Sequence, residues 1–222
     1  MNEILQKKIM DCIPSDPGVM NSSTYLKSAV LASLYIKEDQ PHLIFQKRSS
    51  TIKQGGEICF PGGRFDRSKD RNMMETSVRE TIEEMGVPRE DILVFGQIDT
   101  LVATMGTVIS CFIGELKIEN LSQLTINRDE VEKVFSIPLR WFIENPPAEY
   151  NVHLEIKPHY TDEEGKKVVL LPVEELGLPD RYRKPWGLKK HKIYVYKKEG
   201  ETIWGITAQI VKHISELLKD VL

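Results

Sequence analysis

Short runs of β-branched and apolar residues, bounded by turn-forming residues, dominate the pattern of hydrophobic positions and predict a chain rich in strands. Ser28–Lys37 and His42–Lys47 flank the turn residues Asp39–Pro41, so these two runs are predicted to form a hairpin. Further strands are predicted at 57–60, 92–101, 108–116 and 152–158, a short element from 131–135, and a closing hairpin at 193–196 and 203–205 around Glu199-Gly200.

Helical spacing of apolar residues is clearest over 73–86, where Gly86 ends the pattern and Pro88 lies just beyond it. Ile206–Leu218 has a strong apolar period, which predicts a C-terminal helix. Two other patterns predict helices. One helix is predicted at 2–12 and ends before the helix-breaking residues Ser15–Gly18, and a short one is predicted at 139–144 and ends before Pro146-Pro147.

The order of these elements predicts an α/β protein with a single domain. Strands interleaved with a few helices favour a mixed sheet with helices packed on it. Residues 1–24 are interpreted as an N-terminal helix and linker, and 25–222 as the domain itself. Within the domain, 160–191 is charged and punctuated by glycine and proline, so it is predicted to be an irregular insertion.

Composition and charge narrow the classes of partner. The chain has 222 residues, of which 41% are hydrophobic and 28% charged, with a net charge of −3. This balance suggests neither nucleic acid nor an anionic membrane as the main partner. Three widely spaced cysteines, Cys12, Cys59 and Cys111, argue against a disulfide framework and favour a reducing, cytoplasmic setting. Neither a signal peptide nor a membrane span is expected.

The candidate chemistry lies on the helix predicted at 73–86. Glu80, Glu83 and Glu84 share one face of that helix, because residues three and four positions apart are neighbours. Three adjacent carboxylates repel one another, and a bound divalent cation removes that cost. Mg²⁺ and Mn²⁺ prefer oxygen ligands of this kind. Arg79, one position earlier, is expected to face differently, where it could pair with a carboxylate and hold the helix against the preceding loop.

Taken alone, these glutamates are more typical of a solvated helix face than of a metal site, and Pro61-Gly62-Gly63 is more typical of an ordinary turn. The combination changes the interpretation. A glycine pair after a short strand leads through a polar loop into the helix, and Gly86 ends it. This context favours a metal site.

The segment Arg79–Val87 resembles the second half of the Nudix box, REUxEExGU, with Thr81 in place of the usual aliphatic residue. The first half differs, because Lys69 stands six residues after Gly63, where the box has glutamate. Arg79 also comes two residues late. Three residues of the lengthened loop are candidates for the missing carboxylate: Asp66, Asp70 and Glu75.

A second motif upstream resembles the coenzyme A diphosphatase branch of that family. Leu43–Ser49 and Gly56–Gly63 are similar to the branch pattern LLTxRS…GxxxFPGGxxD, with Asp66 at its last position. Gln54 stands where members often have histidine. Segments 129–139 and 203–208 also resemble the branch, so the similarity extends over residues 25–218.

The resemblance implies a Nudix-type α/β/α sandwich with a mixed β-sheet. It implies hydrolysis of coenzyme A or its esters to 3′,5′-ADP and (acyl-)phosphopantetheine, with Mg²⁺ or Mn²⁺ as cofactor. Glu80 and Glu84 match the family's main metal ligands, and Glu83 matches an auxiliary ligand or a base. The other predicted site residues are Arg79 and Glu130 for catalysis, with Glu130 as an alternative base, and Arg48, Gly62 and Gly63 for substrate binding.

Other interpretations stay open at this point. The substrate could be another nucleoside diphosphate derivative, such as ADP-ribose, or the domain could be a catalytically silent binding module. The basic residues of 181–192, with Trp186 among them, fit either a 3′-phosphate and adenine site or a solvated loop. Arg48 fits either a phosphate contact or a structural ion pair. Both a monomer and a homodimer are compatible with the sequence.

Overall fold

The computed structural model describes residues 2–15, 20–104 and 106–222, without the side chains of Glu3, Ile9, Leu188 and Lys189. Most of the predicted break at Ser15–Gly18 therefore lies outside the described residues. The helices are α1 (Glu3–Cys12), α2 (Met73–Met85), α3 (Leu139–Glu144) and α4 (Gly205–Leu218). The strands are β1 (Leu26–Lys37), β2 (Gln40–Arg48), β3 (Ile58–Cys59), β4 (Gly62–Arg64), β5 (Ile92–Ala103), β6 (Thr107–Leu116), β7 (Val131–Pro138), β8 (Ala148–Ile156), β9 (His159–Thr161), β10 (Lys167–Val169), β11 (Trp186–Lys198) and β12 (Glu201–Trp204).

The main sheet has seven strands. Its central order is β3-β2-β1-β6-β5, with β4 paired to β1 and β7 paired to β2. The β1–β2 hairpin confirms the pairing predicted around Asp39–Pro41. Because β1 runs parallel to β6 while the other pairs are antiparallel, the sheet is mixed, as predicted.

Alternate residues of β1 belong to two different hydrophobic clusters, one on each face of this sheet. Ala29, Leu31 and Tyr35 belong to the cluster that includes residues of α2. Ala32 and Leu34 belong to the cluster that includes residues of α3 and α4. Successive strand residues point to opposite faces, so helices cover both sides of the sheet. The α/β/α sandwich is confirmed.

Helix α2 is delimited by the residues that the sequence indicates. The Asn72 side chain accepts a hydrogen bond from the Glu75 backbone N–H and caps the first turn. Gly86 ends the helix at a φ of 66°, a left-handed conformation that glycine adopts without strain. A Cβ at this position would also lie 2.3 Å from the Thr125 carbonyl oxygen. Glycine therefore lets the end of α2 pack closely against the following loop.

A second sheet, of order β12-β11-β8, corrects the prediction for 160–191. That segment is not irregular throughout: it contains part of the β9–β10 hairpin, and its last six residues begin β11. The predicted strand at 193–196 extends back to Trp186, because β11 pairs with β8 along its length. The hairpin around Glu199-Gly200 is confirmed as β11–β12. The boundary at residue 24 stays a prediction.

Candidate functional site

The three glutamates of α2 differ sharply in their surroundings. Glu84 is buried, with 2% of its surface exposed, whereas the Glu83 side chain is 48% exposed and Glu80 lies between them at 16%. The interpretation as a solvated face therefore fits Glu83 and fails for Glu84. Burial of a carboxylate is costly unless a partner compensates for it.

Glu84 is held by the backbone of β4 and by strand β2. Its carboxylate accepts a hydrogen bond from the Gly62 N–H at 3.0 Å. Burial raises the pKa of Glu84 to about 7, against the opposing effects of the Gln46 amide, the Gly62 N–H and the Arg48 charge. Arg48 thus lies near enough to act on this carboxylate. Its Nε also donates to the Lys53 carbonyl at 3.3 Å.

Glu80 packs against Gly63. A Cβ added at Gly63 would lie 2.3 Å from the Glu80 carboxylate oxygen, so only glycine leaves room for this arrangement. Burial raises the pKa of Glu80, Arg79 lowers it, and the charges of Glu83 and Glu130 raise it further. Glu130 therefore also lies near the site, as the sequence predicts for a candidate base.

Arg79 connects three carboxylates. Its Nη1 lies 2.8 Å from Glu80 and 2.9 Å from Glu83, while Nε and Nη2 lie 2.7 and 3.0 Å from the two oxygens of Asp70. Arg79 is predicted to face differently from the glutamates, yet its long side chain reaches both Glu80 and Glu83. The prediction that it pairs with a carboxylate is confirmed, and Asp70 of the preceding loop supplies one of its partners.

Asp70 is the loop carboxylate that pairs with Arg79. Its side chain is only 1% exposed and also accepts hydrogen bonds from the Thr76 hydroxyl at 2.8 Å and the Asp66 N–H at 3.1 Å. The Arg79 guanidinium holds the pKa of Asp70 well below its usual value. Asp66 and Glu75 accept local hydrogen bonds instead, from Ser68 and from the Arg71 N–H.

In their chemistry, the residues present fit a divalent cation. In their positions, they are not gathered around a common point. Across the described ranges, no three His, Cys, Asp or Glu side chains are already gathered as a metal site. Arg79 holds Glu80, and the Gly62 N–H holds Glu84. However, both carboxylates carry the raised pKa of a desolvated acid, a cost that a cation would offset. The buried Gln46 Oε1 beside them accepts no hydrogen bond from the described residues.

Comparison with known proteins identifies the family of this chain. The NUDIX domain model matches residues 26–191. The chain belongs to the Nudix family. The uncharacterized Nudix hydrolase NudL of Photorhabdus laumondii is 29% identical over 190 residues, which cover 85% of this chain and 83% of the relative. Nudix hydrolase 3 of Caenorhabditis elegans is 32% identical over 124 residues, or 54% of this chain and 51% of the relative.

Among solved structures, a MutT/nudix family protein from Enterococcus faecalis superposes on 98% of this chain and 69% of its own. Its TM-score is 0.47 and its identity 14%. The family match and the relatives identify the chain as a Nudix hydrolase. Enzymes of this family generally use divalent ions such as Mg²⁺ or Mn²⁺ and act on small nucleotide derivatives.

The Nudix site includes one residue that the sequence analysis did not select. Gln46 is buried on β2, pairs in register with Cys59 of β3, and lies against Glu84. The available signal was a polar residue at the end of the apolar run Leu43–Phe45, just before Arg48. Burial raises the pKa of Cys59 to about 11, as for a packed thiol rather than a nucleophile.

A basic cavity also adjoins the Nudix glutamates and was not predicted. It has a volume of about 420 Å³ and is lined by Arg64, Arg67, Lys69, Phe65, Asp66, Arg79 and Glu80. Asp66 and Glu80 contribute negative charge to the same cavity, and the charge of Lys69 acts on the Asp66 carboxylate. Arg64, Arg67 and Lys69 form no ion pair with any described residue. The lengthened loop that disrupts the first half of the box supplies two of them.

The basic run at 181–192 has a different environment. Arg183 pairs with Glu174 and Asp180, and Lys192 pairs with Glu149 at 2.7 Å. Among the described residues, no hydrogen bond or ion pair connects this run to α2. A nucleotide-binding role for it stays a prediction. None of the described helices is long and apolar enough to cross a membrane.

Proposed function

We propose that this Nudix hydrolase cleaves the diphosphate bond of coenzyme A or acyl-coenzyme A, giving 3′,5′-ADP and (acyl-)phosphopantetheine. One observation supports the proposal: residues of the upstream motif lie against the glutamate helix. Gly62 donates its N–H to Glu84, and Gly63 makes room for the Glu80 carboxylate. Arg48, from the same motif, acts on the pKa of Glu84. Arg48 and Gly62, which belong to the upstream motif and not to the general box, thus adjoin Glu84 of the hydrolytic box.

Glu80 and Glu84 would hold the Mg²⁺ or Mn²⁺ ion, with Glu83 as an auxiliary ligand. When bound, such an ion offsets the charge of the diphosphate and lowers the pKa of a water molecule. Glu80 would contact the cation in place of Arg79. The two hydrogen bonds between Arg79 and Asp70 do not involve Glu80, so Arg79 would still anchor α2 to the loop.

The basic cavity beside Glu80 supports an anionic substrate. Arg64, Arg67 and Lys69 border it, together with Arg79, and outnumber the carboxylates of Asp66 and Glu80 that also line it. Phosphate oxygens are strong acceptors for guanidinium and ammonium groups. We assign these three side chains to the phosphates of the substrate, next to the carboxylates that hold the cation. Their charge orients the diphosphate and balances the acidic helix.

The three described cysteines are free, which supports a reducing compartment. We therefore place the activity in the cytoplasm.

A substrate panel tests the proposed function. The purified chain is incubated with Mn²⁺ or Mg²⁺ and either coenzyme A, an acyl-coenzyme A or ADP-ribose, and the products are separated by chromatography. We expect 3′,5′-ADP from the first two substrates and none from the Glu84→Gln variant. Rapid cleavage of ADP-ribose without 3′,5′-ADP would assign a different nucleoside diphosphate derivative. Equal activity of wild type and Glu84→Gln on every substrate would indicate a catalytically silent binding domain.

A further inference from the structure

Strand β8 forms an open edge of the second sheet. In the described part of the chain it pairs with β11 alone, and all nine of its residues are exposed. The backbone N–H and C=O groups along its free edge therefore have no strand partner. Natural edge strands are usually protected by proline, by a bulge or by inward-pointing charge, and β8 contains neither proline nor glycine.

One face of this edge strand is apolar. Tyr150, Val152, Leu154 and Ile156 alternate along it and are each between 36% and 57% exposed. On the neighbouring strand β11, Trp186 and Ile193 lie opposite Ile156 and Tyr150, whereas Lys189 and His191 lie opposite Leu154 and Val152, so the apolar stripe belongs to β8 itself. An apolar stripe along an open strand edge is characteristic of a surface that pairs with another chain.

We propose that β8 pairs antiparallel with β8 of a second copy of this chain, about a two-fold axis at His153. The two three-stranded sheets then form one six-stranded sheet. In this register Tyr150 faces Ile156 of the other copy, and Val152 faces Leu154. Because both copies use the same strand, every contact occurs twice in the dimer.

One pair of complementary charges lies on the polar face in this register. Glu149 of one copy faces Lys157 of the other, the residue that directly follows β8, and Asn151 faces Glu155. Within a single chain Lys157 lies 3.8 Å from Glu155, an exposed contact that pairing with Glu149 would replace. Opposite charges directly across a strand pair are stabilising, and like charges are destabilising.

Neighbouring registers lose this match. An axis at Val152 would place Glu149 opposite Glu155. An axis at Leu154 would place Tyr150 opposite Pro158, which has no N–H to donate. The axis at His153 therefore satisfies both faces of the strand.

Sedimentation equilibrium of the full chain over a concentration series tests this dimer, with charge reversal at the predicted pair. We expect Glu149→Lys alone, or Lys157→Glu alone, to raise the dissociation constant about tenfold or more, since each places like charges opposite one another twice. The double variant, with both reversals, is expected to recover dimerisation. Glu149 also pairs with Lys192 inside its own chain. The double variant does not restore that internal pair, so its recovery would assign the effect to the interface.

A matched pair of apolar substitutions supplies a control. Val152→Lys places charge on the apolar face of β8 and is expected to give monomers, whereas Val102→Lys on β5, also an exposed valine, is expected to leave the dimer intact. Circular dichroism verifies that each variant is folded. A monomeric wild type, or a double variant as weak as the single ones, would overturn the proposal, and so would a folded Val152→Lys variant that dimerises normally.

Discussion

Individual side chains decide which of the acidic residues can act as bases. Glu83 is half exposed, but its carboxylate is engaged by Arg79 at 2.9 Å. Glu130 is exposed, its carboxylate accepts only a long hydrogen bond from Asn127 at 3.4 Å among the described residues, and its charge reaches Glu80. Glu130 is therefore freer to accept a proton from water at the site.

We accordingly expect Glu130→Gln to lower kcat roughly a hundredfold, the usual contribution of a general base, with little change in KM. Glu83→Gln, its control on α2, is expected to lower kcat less and to change mainly the metal concentration needed for activity. Steady-state kinetics of both variants across a metal titration measures the difference. The reverse ranking of kcat would assign the base to Glu83.

The pair formed by Asp70 and Arg79 is predicted to stabilise the fold. Asp70→Asn removes a charge from a nearly buried ion pair and is expected to lower the free energy of unfolding by about 2 to 4 kcal/mol. Asp66→Asn in the same loop is the control, because the Asp66 carboxylate accepts hydrogen bonds from Ser68 alone among the described residues and has no ion-pair partner there. Urea denaturation measures both variants. Equal losses of unfolding free energy in the two variants would show that the Asp70–Arg79 pair does not stabilise the fold.

Asp70 also predicts how stability depends on pH. Its pKa is lower in the folded protein than in the unfolded chain, so folding is favoured while the group is ionised. This contribution is complete well above the ordinary aspartate pKa of about 4 and is lost as the pH falls toward the depressed folded value. The difference in unfolding free energy between wild type and Asp70→Asn should therefore shrink below pH ~4. A difference that stays constant down to pH ~3 would contradict this prediction.

Sequence reasoning located these residues but could not pair them. Asp66, Asp70 and Glu75 all lie within reach of Arg79 along the chain, and their residue types are nearly equivalent. The turn in which the Asp70 N–H bonds to the Asp66 carbonyl at 2.8 Å brings Asp70 under Arg79. That turn depends on packing of the loop against α2, which the pattern of residues does not reveal.

At the level of elements, the contact between β4 and α2 shapes the site. The two glycines of β4 serve different purposes. A Cβ at Gly62 would lie 2.4 Å from the Ala29 carbonyl oxygen, a backbone atom of β1, whereas a Cβ at Gly63 would meet the end of the Glu80 side chain. Gly62 therefore permits the sheet to form, and Gly63 permits the carboxylate to approach it.

This contrast gives a prediction for two adjacent substitutions. Gly63→Ala is expected to leave the fold largely intact, because the Glu80 side chain can move, but to reduce activity at least tenfold by displacing a metal ligand. Gly62→Ala should instead lower the melting temperature, since the strand pair must shift. Gly96→Ala, where the added methyl group meets no atom within 4 Å, serves as the control. Full activity of Gly63→Ala would remove Gly63 from the site.

Helix α2 and the first hairpin were predictable because each carries its own periodic pattern and its own stop signals. Strand β11 was predictable only in part. Residues 189–192 are lysine and histidine on both faces of a sheet, so no alternation of apolar and polar residues marks the strand. Its hydrogen bonds come from pairing with β8, more than thirty residues earlier in the chain. Long-range pairing of this kind leaves little trace in local sequence.

At the scale of the whole molecule, the two faces of the mixed sheet are covered by different elements. Helix α2 and the β4 glycines build the candidate active site on one face, while α3 and α4 complete the core on the other. The second sheet leaves β8 open for a partner copy. The family model covers the main sheet and most of the second one, up to residue 191.

The central claim is that Glu80 and Glu84 hold a divalent cation, and binding of Mn²⁺ followed by electron paramagnetic resonance tests it most directly. Free Mn²⁺ gives a signal that is lost on binding, so affinity is measured without any substrate. We predict that Glu80→Gln and Glu84→Gln each weaken Mn²⁺ binding roughly tenfold or more, whereas Glu90→Gln, an exposed residue beyond α2, leaves it unchanged. Equal Mn²⁺ affinity in wild type and in both ligand variants would contradict the account.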